Sequence, residues 1–198
     1  MSDVEEITQL VLRERQGRDR GWWRQMAEAF SPTSRVRVSW IDASGAEFVE
    51  QSRQLALSGP GVSHRMSPPV IHLHGRRALA EVAGTIQARR TVHGVVVDLS
   101  SRIRLLYRLE HHGEWLIEAL DAIYESDSMQ PAVIGQSLDL DVEVLLSRRE
   151  SYRYLAYLMW LRAGEHVPDD LPGDDRPELT TALYEQAFAW LGKPIPRE

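Results

Sequence analysis

The 198 residues are 43% hydrophobic and 26% charged, enough apolar material for one folded domain with an appendage and unlike a disordered or fibrous chain. Twenty-three Lys and Arg against 29 Asp and Glu leave a formal charge of −6, which argues against a phosphate-binding surface, and the lack of Cys excludes disulfides, thiolate metal sites, iron-sulfur clusters and a cysteine nucleophile. The acidic start Ser2-Asp3-Val4-Glu5-Glu6 is unlike a secretory leader, and the longest strongly apolar run, 154–161, is too short for a bilayer. A cytoplasmic protein with neither nucleic-acid nor membrane partners is therefore expected.

Ser2 and Glu5 have capping-box spacing and Ile7, Leu10 and Val11 follow at helical intervals, which predicts a helix over 3–16 stopped by Gly17. Trp23, Met26, Ala27 and Phe30 repeat at i, i+3, i+4 and i+7, predicting a short second helix closed by Ser31-Pro32. Alternation over 35–41 predicts a strand, Ser44-Gly45 a turn, and 47–57 a third helix ended by Ser58-Gly59-Pro60-Gly61. Residues 62–74 read as a strand interrupted at Pro68-Pro69, and 78–92 as a long strand turning at His93-Gly94.

The run 95–110 has the clearest period: Val95, Val97, Leu99, Ile103, Leu105, Tyr107 and Leu109 face one way, Asp98, Ser100, Arg102, Arg104, Arg108 and Glu110 the other. Such alternation marks a half-buried antiparallel strand, and His112-Gly113 turns it into another over 115–124. Past Asp127, Ser147 and Glu150 repeat the capping-box spacing before Tyr152, Leu155, Ala156 and Met159, and Pro177 opens a final helix with Leu179, Ala182, Leu183 and Trp190. Helices followed by a strand meander give an α+β chain.

The succession Gly17-Arg18-Asp19-Arg20-Gly21-Trp22-Trp23, Phe30-Ser31-Pro32, Ser63-His64, His74-Gly75-Arg76-Arg77-Ala78, Tyr107-Arg108 and Gly113-Glu114-Trp115 resembles the SnoaL-like branch of the nuclear transport factor 2-like superfamily. The resemblance implies a cone-shaped α+β barrel over 1–130, in which N-terminal helices pack on a strongly curved, mixed, mostly antiparallel sheet around a deep apolar pocket. Residues 131–198 would be a C-terminal helical extension, packed on the cone or on a partner subunit. In relatives such as scytalone dehydratase and hexachlorocyclohexane dehydrochlorinase, a pocket histidine oriented by an aspartate of the first helical hairpin abstracts a proton without a cofactor. The matching positions are His64 and Asp19. A basic residue of the dehydrochlorinase falls on Leu120 here, and the second tyrosine and histidine of scytalone dehydratase have no counterpart. The superfamily commonly pairs across its convex sheet face, which implies a homodimer.

A neutral imidazole is the natural base near neutral pH, and a carboxylate on its second nitrogen fixes the tautomer. Asp121 shares the parity of Trp115, Ile117, Ala119 and Ile123, so it is a candidate pocket acid unless a twist or bulge exposes it. Trp23, Trp40, Tyr107 and Tyr124 are candidate pocket walls. His72 and His74 have a spacing compatible with a metal, but Pro68-Pro69 breaks their register with His64, and no metal or other cofactor is expected. Tyr152, Tyr154, Tyr157 and Trp160 suit a lid over the cone mouth, a subunit contact or packing on the chain's own sheet. No phosphate loop, Gly-x-Ser-x-Gly or His-Glu-x-x-His is present. The reading is a cofactor-independent lyase, a dehydratase or dehydrohalogenase acting on a small apolar, cyclic or polyketide-derived molecule. An isomerase or aldol-type cyclase with the same pair, or a module that only binds a small molecule or protein, are the alternatives.

Overall fold

In the computed structural model, which describes residues 2–57, 59, 61–164 and 166–196, helix α1 (Asp3–Arg20) starts at the expected capping box of Ser2 and Glu5 but runs past Gly17. Gly17 is instead a packing residue. A Cβ there would lie 3.0 Å from the Met26 nitrogen and 3.1 Å from the Trp22 carbonyl, so glycine lets α2 (Trp23–Ala27) close against α1. The stop comes at Gly21, in the left-handed region at φ 70, its N–H donating to the Gly17 carbonyl. Gly17→Ala sets a helix-propensity gain of about 1 kcal/mol against overpacking of roughly 1–3 kcal/mol. A lower melting temperature is expected, and an unchanged or higher one would show that the α1–α2 contact yields.

Phe30-Ser31-Pro32 does not close a helix. It opens β1 (Phe30–Val38), because α2 is too short to reach it and β1 pairs in parallel with β7. The chain turns through β2 (Ile41–Ser44) into α3 (Gly45–Leu57), whose first turn is held by Ser44 and Glu47: the Glu47 carboxylate accepts from the Ser44 N–H at 3.0 Å. Of the expected α3 stop, Ser58 and Pro60 lie outside the described residues. The Pro68-Pro69 interruption divides β3 (Ser63–Met66) from β4 (Val70–His74), and both halves pair with β5 (Arg77–Val92). Two long strands follow, β6 (Val95–His111) and β7 (Trp115–Pro131).

Among the described residues seven strands form one curled, unclosed sheet in the order β2-β1-β7-β6-β5-β3, with β4 also on β5 and β1–β7 the one parallel strand pair. This is a cone-shaped α+β arrangement. Ile7 and Val11 of α1, Met26 and Phe48 pack into its concave face against Ile103, Leu105, Tyr107 and Ile117, the β6 members being those the alternation predicts.

Strand β7 departs from simple alternation at two points. Leu109 pairs with Ile117 and Arg108 with Ala119, leaving Glu118 as an extra residue, and Ile103 pairs with Tyr124 while Arg102 pairs with Ser126, leaving Glu125. Each bulge reverses which face the following side chains take. The inward set therefore passes from Trp115 and Ile117 to Leu120, Ala122 and Tyr124. Asp121 falls on the other face, its Oδ2 3.3 Å from Arg108 Nη2, and this corrects its expected place in the pocket.

After β7 come α4 (Val142–Leu146), a 3-10 turn at Glu150–Tyr152, α5 (Arg153–Ala163) and α6 (Pro177–Leu191). The expected Ser147–Glu150 capping box does not form. Ser147 ends α4, donating to the Val144 carbonyl, and the first turn of α5 is held from the sheet, where Asp127 Oδ2 accepts the Leu155 N–H at 2.7 Å. Pro177 does open α6, which lays Leu183, Ala187, Phe188 and Leu191 on Leu79, Leu106 and Ile123 of the outer sheet face. That is why Leu106 is buried on the face read as polar, and why part of the convex surface is already covered. His72 and His74 serve this contact: the His72 ring meets Phe188 at 5.1 Å, and His74 Nδ1 lies 2.8 Å from the Leu191 carbonyl. The aromatic cluster of the extension divides, Tyr152 and Tyr157 being buried while α5 faces the open end of the cone.

Candidate active site

Extending α1 by one turn beyond Gly17 puts Asp19 at its C-terminal end, where a negative charge is unfavourable to the helix dipole and needs a partner. The partner is His64, the second residue of β3. Asp19 Oδ2 accepts the His64 backbone N–H at 2.6 Å, and Oδ1 lies 2.6 Å from His64 Nδ1. One carboxylate thus holds both the backbone and the ring of a single residue. With Nδ1–H donating to Asp19, the Nε2 lone pair is free to accept a proton.

The two side chains are 5% and 15% exposed. Burial and the positive charges of Arg15 and Arg18 outweigh the pull of Asp19 and push the imidazole down to about 3, so His64 is neutral near pH 7. Burial opposes ionisation of Asp19 too, but the hydrogen bonds from the ring and backbone of His64 and the charge of Arg15 hold it below the usual carboxylate range. The pair is a neutral imidazole beside a carboxylate.

The imidazole state has a consequence for stability. Because the folded chain holds His64 unprotonated while the unfolded chain takes a proton near 6.5, its contribution is complete above pH 6.5 and is lost as pH falls toward about 3. Asp127, pushed up to about 6 by burial, acts in the opposite direction between 3.8 and 6, but it does so equally in a His64 variant. From pH 7 to pH 5 the wild type should lose on the order of 2 kcal/mol more than His64→Gln, roughly 4–8 °C in melting temperature. Parallel melting curves for the two proteins across that range would contradict the buried neutral histidine.

Both side chains line a cavity of about 480 Å³ bordered by α1, α3, the concave sheet face and α5. Trp23, Trp40 and Tyr124 line it as well, and Leu155 and Met159 of α5 close one side. Tyr107 does not reach the cavity: it lies in the core beneath, its hydroxyl donating to Glu14 Oε2 at 3.1 Å. Its bulk is used on the inward face of β6, where α1 rather than a ligand covers it, and this corrects its assignment as a wall. Asp121 is absent from the lining for the bulge described above.

Arg15 and Arg18, which the sequence reading passed over, also line the cavity. The available signal was helical phase, because Ile7, Val11, Glu14 and Arg18 lie at i, i+4, i+7 and i+11, so charged residues continue an apolar stripe. Arg15 Nη2 lies 3.1 Å from Glu14 Oε2, and the Arg18 guanidinium lies 5.7 Å from the Trp40 ring and 6.0 Å from that of Phe48.

A family model for the SnoaL-like domain matches residues 1–121. An uncharacterized protein of Emericella nidulans is 28% identical over 194 residues, covering 90% of this chain and 82% of that protein. One of Aspergillus terreus is 27% identical over 177 residues, covering 80% and 65% respectively. Among solved structures, a protein of Novosphingobium aromaticivorans provisionally named scytalone dehydratase matches with a TM-score of 0.53 and 13% identity, over 70% of this chain and 100% of that one. A type 2 hexachlorocyclohexane dehydrochlorinase matches with a TM-score of 0.53 and 10% identity, over 69% and 93%. At such identities the structural likeness speaks for the fold alone. The domain match covers well over half of the sequence and includes both Asp19 and His64, and the chain belongs to the SnoaL-like domain family.

Proposed function

We propose that this protein is a cofactor-independent lyase acting on a carbon acid, with His64 as the base and Asp19 as its positioning residue. The observation that carries the reading is the 2.6 Å contact between Asp19 Oδ1 and His64 Nδ1 at the wall of a largely apolar cavity. His64 Nε2 takes the proton from a carbon next to a carbonyl, and the C–H electron pair moves into an enolate. When a hydroxyl sits on the neighbouring carbon, the enolate collapses to a carbon-carbon double bond as that C–O bond breaks, and the imidazolium gives its proton to the departing oxygen as water. A halide would leave as the anion. The largely apolar lining, to which Leu155 and Met159 of α5 contribute, strengthens the electrostatic interactions on which both steps depend.

Isomerisation is the second reading. It needs only that His64 return the proton to a different carbon, and it is favoured by Leu120, a buried apolar residue at the position where the resembled dehydrochlorinase carries a base. A panel of cyclic ketones and their β-hydroxy derivatives in deuterated water, followed by proton NMR, tests both. Enzyme-dependent exchange at the α-carbon supports proton abstraction, loss of water from the hydroxyketones supports the lyase, and absence of any exchange across the panel counts against both.

A further inference from the structure

Lysine and arginine are outnumbered in this chain, yet four arginines line its cavity, Arg15, Arg18, Arg90 and Arg162, against a single lining carboxylate among the described residues, Asp19. That carboxylate is already committed to His64. Deep in the cavity Arg15 is 4% exposed and leans on Glu14, whereas no carboxylate among the described residues pairs with Arg18, which rests against Trp40 and Phe48. The Nε–H groups of both arginines are buried without a hydrogen-bond partner among the described residues. Buried, charged donors without a partner carry a desolvation cost, and an acceptor, above all an anionic one, offsets it.

From this arrangement we infer that the cavity is built for an organic oxyanion, an apolar body bearing a carboxylate that Arg15 and Arg18 hold beside His64. The inference rests on the proposed reaction for its use but not for its test. Burial first, and then the charges of Arg15 and Arg18, hold down the basicity of His64, and Arg18 itself is pushed down to about 10 by burial and by Arg15, so a bound anion offsets the share of each shift that comes from the arginine charges. The apolar walls take the hydrocarbon and the two guanidinium groups take the charge, which is the division of labour a small-molecule site uses to fix orientation.

Calorimetric titration of the full chain with 2-naphthoate and with its uncharged isostere 2-naphthamide tests this directly. The wild type should bind the carboxylate roughly 10- to 100-fold more tightly than the amide, the range of a charge-assisted hydrogen bond. Arg18→Gln should remove most of that preference, and His64→Gln, which takes away the base and leaves the guanidinium groups, should keep it. Equal affinities for the two compounds in the wild type, or no measurable binding of either, overturn the inference whether or not any variant folds. So does an unchanged preference in folded Arg18→Gln. A protein that selects the carboxylate but exchanges no α-proton would sink the lyase reading and leave the anion site standing.

Discussion

His64→Gln is expected to lower turnover by roughly 100- to 10,000-fold on any ketone in which the wild type exchanges or eliminates, with the fold retained. Glutamine is close to histidine in size, its amide can still donate to Asp19, and the backbone N–H that Asp19 also holds is untouched. What it lacks is a nitrogen able to accept a proton. The measurement is the initial rate of deuterium incorporation or of water loss, alongside a melting curve at pH 7. An unchanged rate would mean that His64 serves only to hold the end of α1 to β3.

Asp19→Asn should lose at least about 10-fold in rate and at most the full effect of losing the base. The amide nitrogen it introduces would face Nδ1 as a donor, so the ring turns to the tautomer with Nδ1 unprotonated and Nε2 carrying the hydrogen, unable to accept one. Nitrogen-15 NMR of the ring distinguishes this from a loss of packing: Nε2 protonated in the variant and Nδ1 protonated in the wild type is the expected pair of signatures. Some stability should go too, about 1–3 kcal/mol, because one of the two hydrogen bonds of a largely buried carboxylate is disturbed. A rate defect with an unaltered tautomer would remove Asp19 from its positioning role.

The pairing of Asp19 with His64 was legible in the sequence. A histidine at a strand start and an aspartate midway between two glycines, in Gly17-Arg18-Asp19-Arg20-Gly21, gain meaning from their order along the chain, and the resemblance pointed to both. Tyr107 and Asp121 misled for different reasons. Parity along a strand says which side chains share a face only while the register is unbroken, and the extra residue Glu118 reverses it between Ile117 and Ala119. Tyr107 kept its parity and still missed the cavity, since whether an inward residue meets a helix or empty space depends on where α1 lies.

Local pattern alone determined the α+β order, the capped start of α1, the division of β3 from β4 at Pro68-Pro69, the inward set of β6 and the opening of α6 at Pro177. Each rests on forces acting over a few residues: backbone sterics, first-turn hydrogen bonds and side-chain periodicity. Tertiary structure decided that Gly17 packs rather than stops, that Asp127 caps a helix 26 residues downstream in sequence, that α6 covers the outer sheet, and that Arg15 and Arg18 turn into the cavity beside His64. Those outcomes depend on close approach between distant segments and on which charges find partners when buried, and neither is encoded in any short stretch of chain.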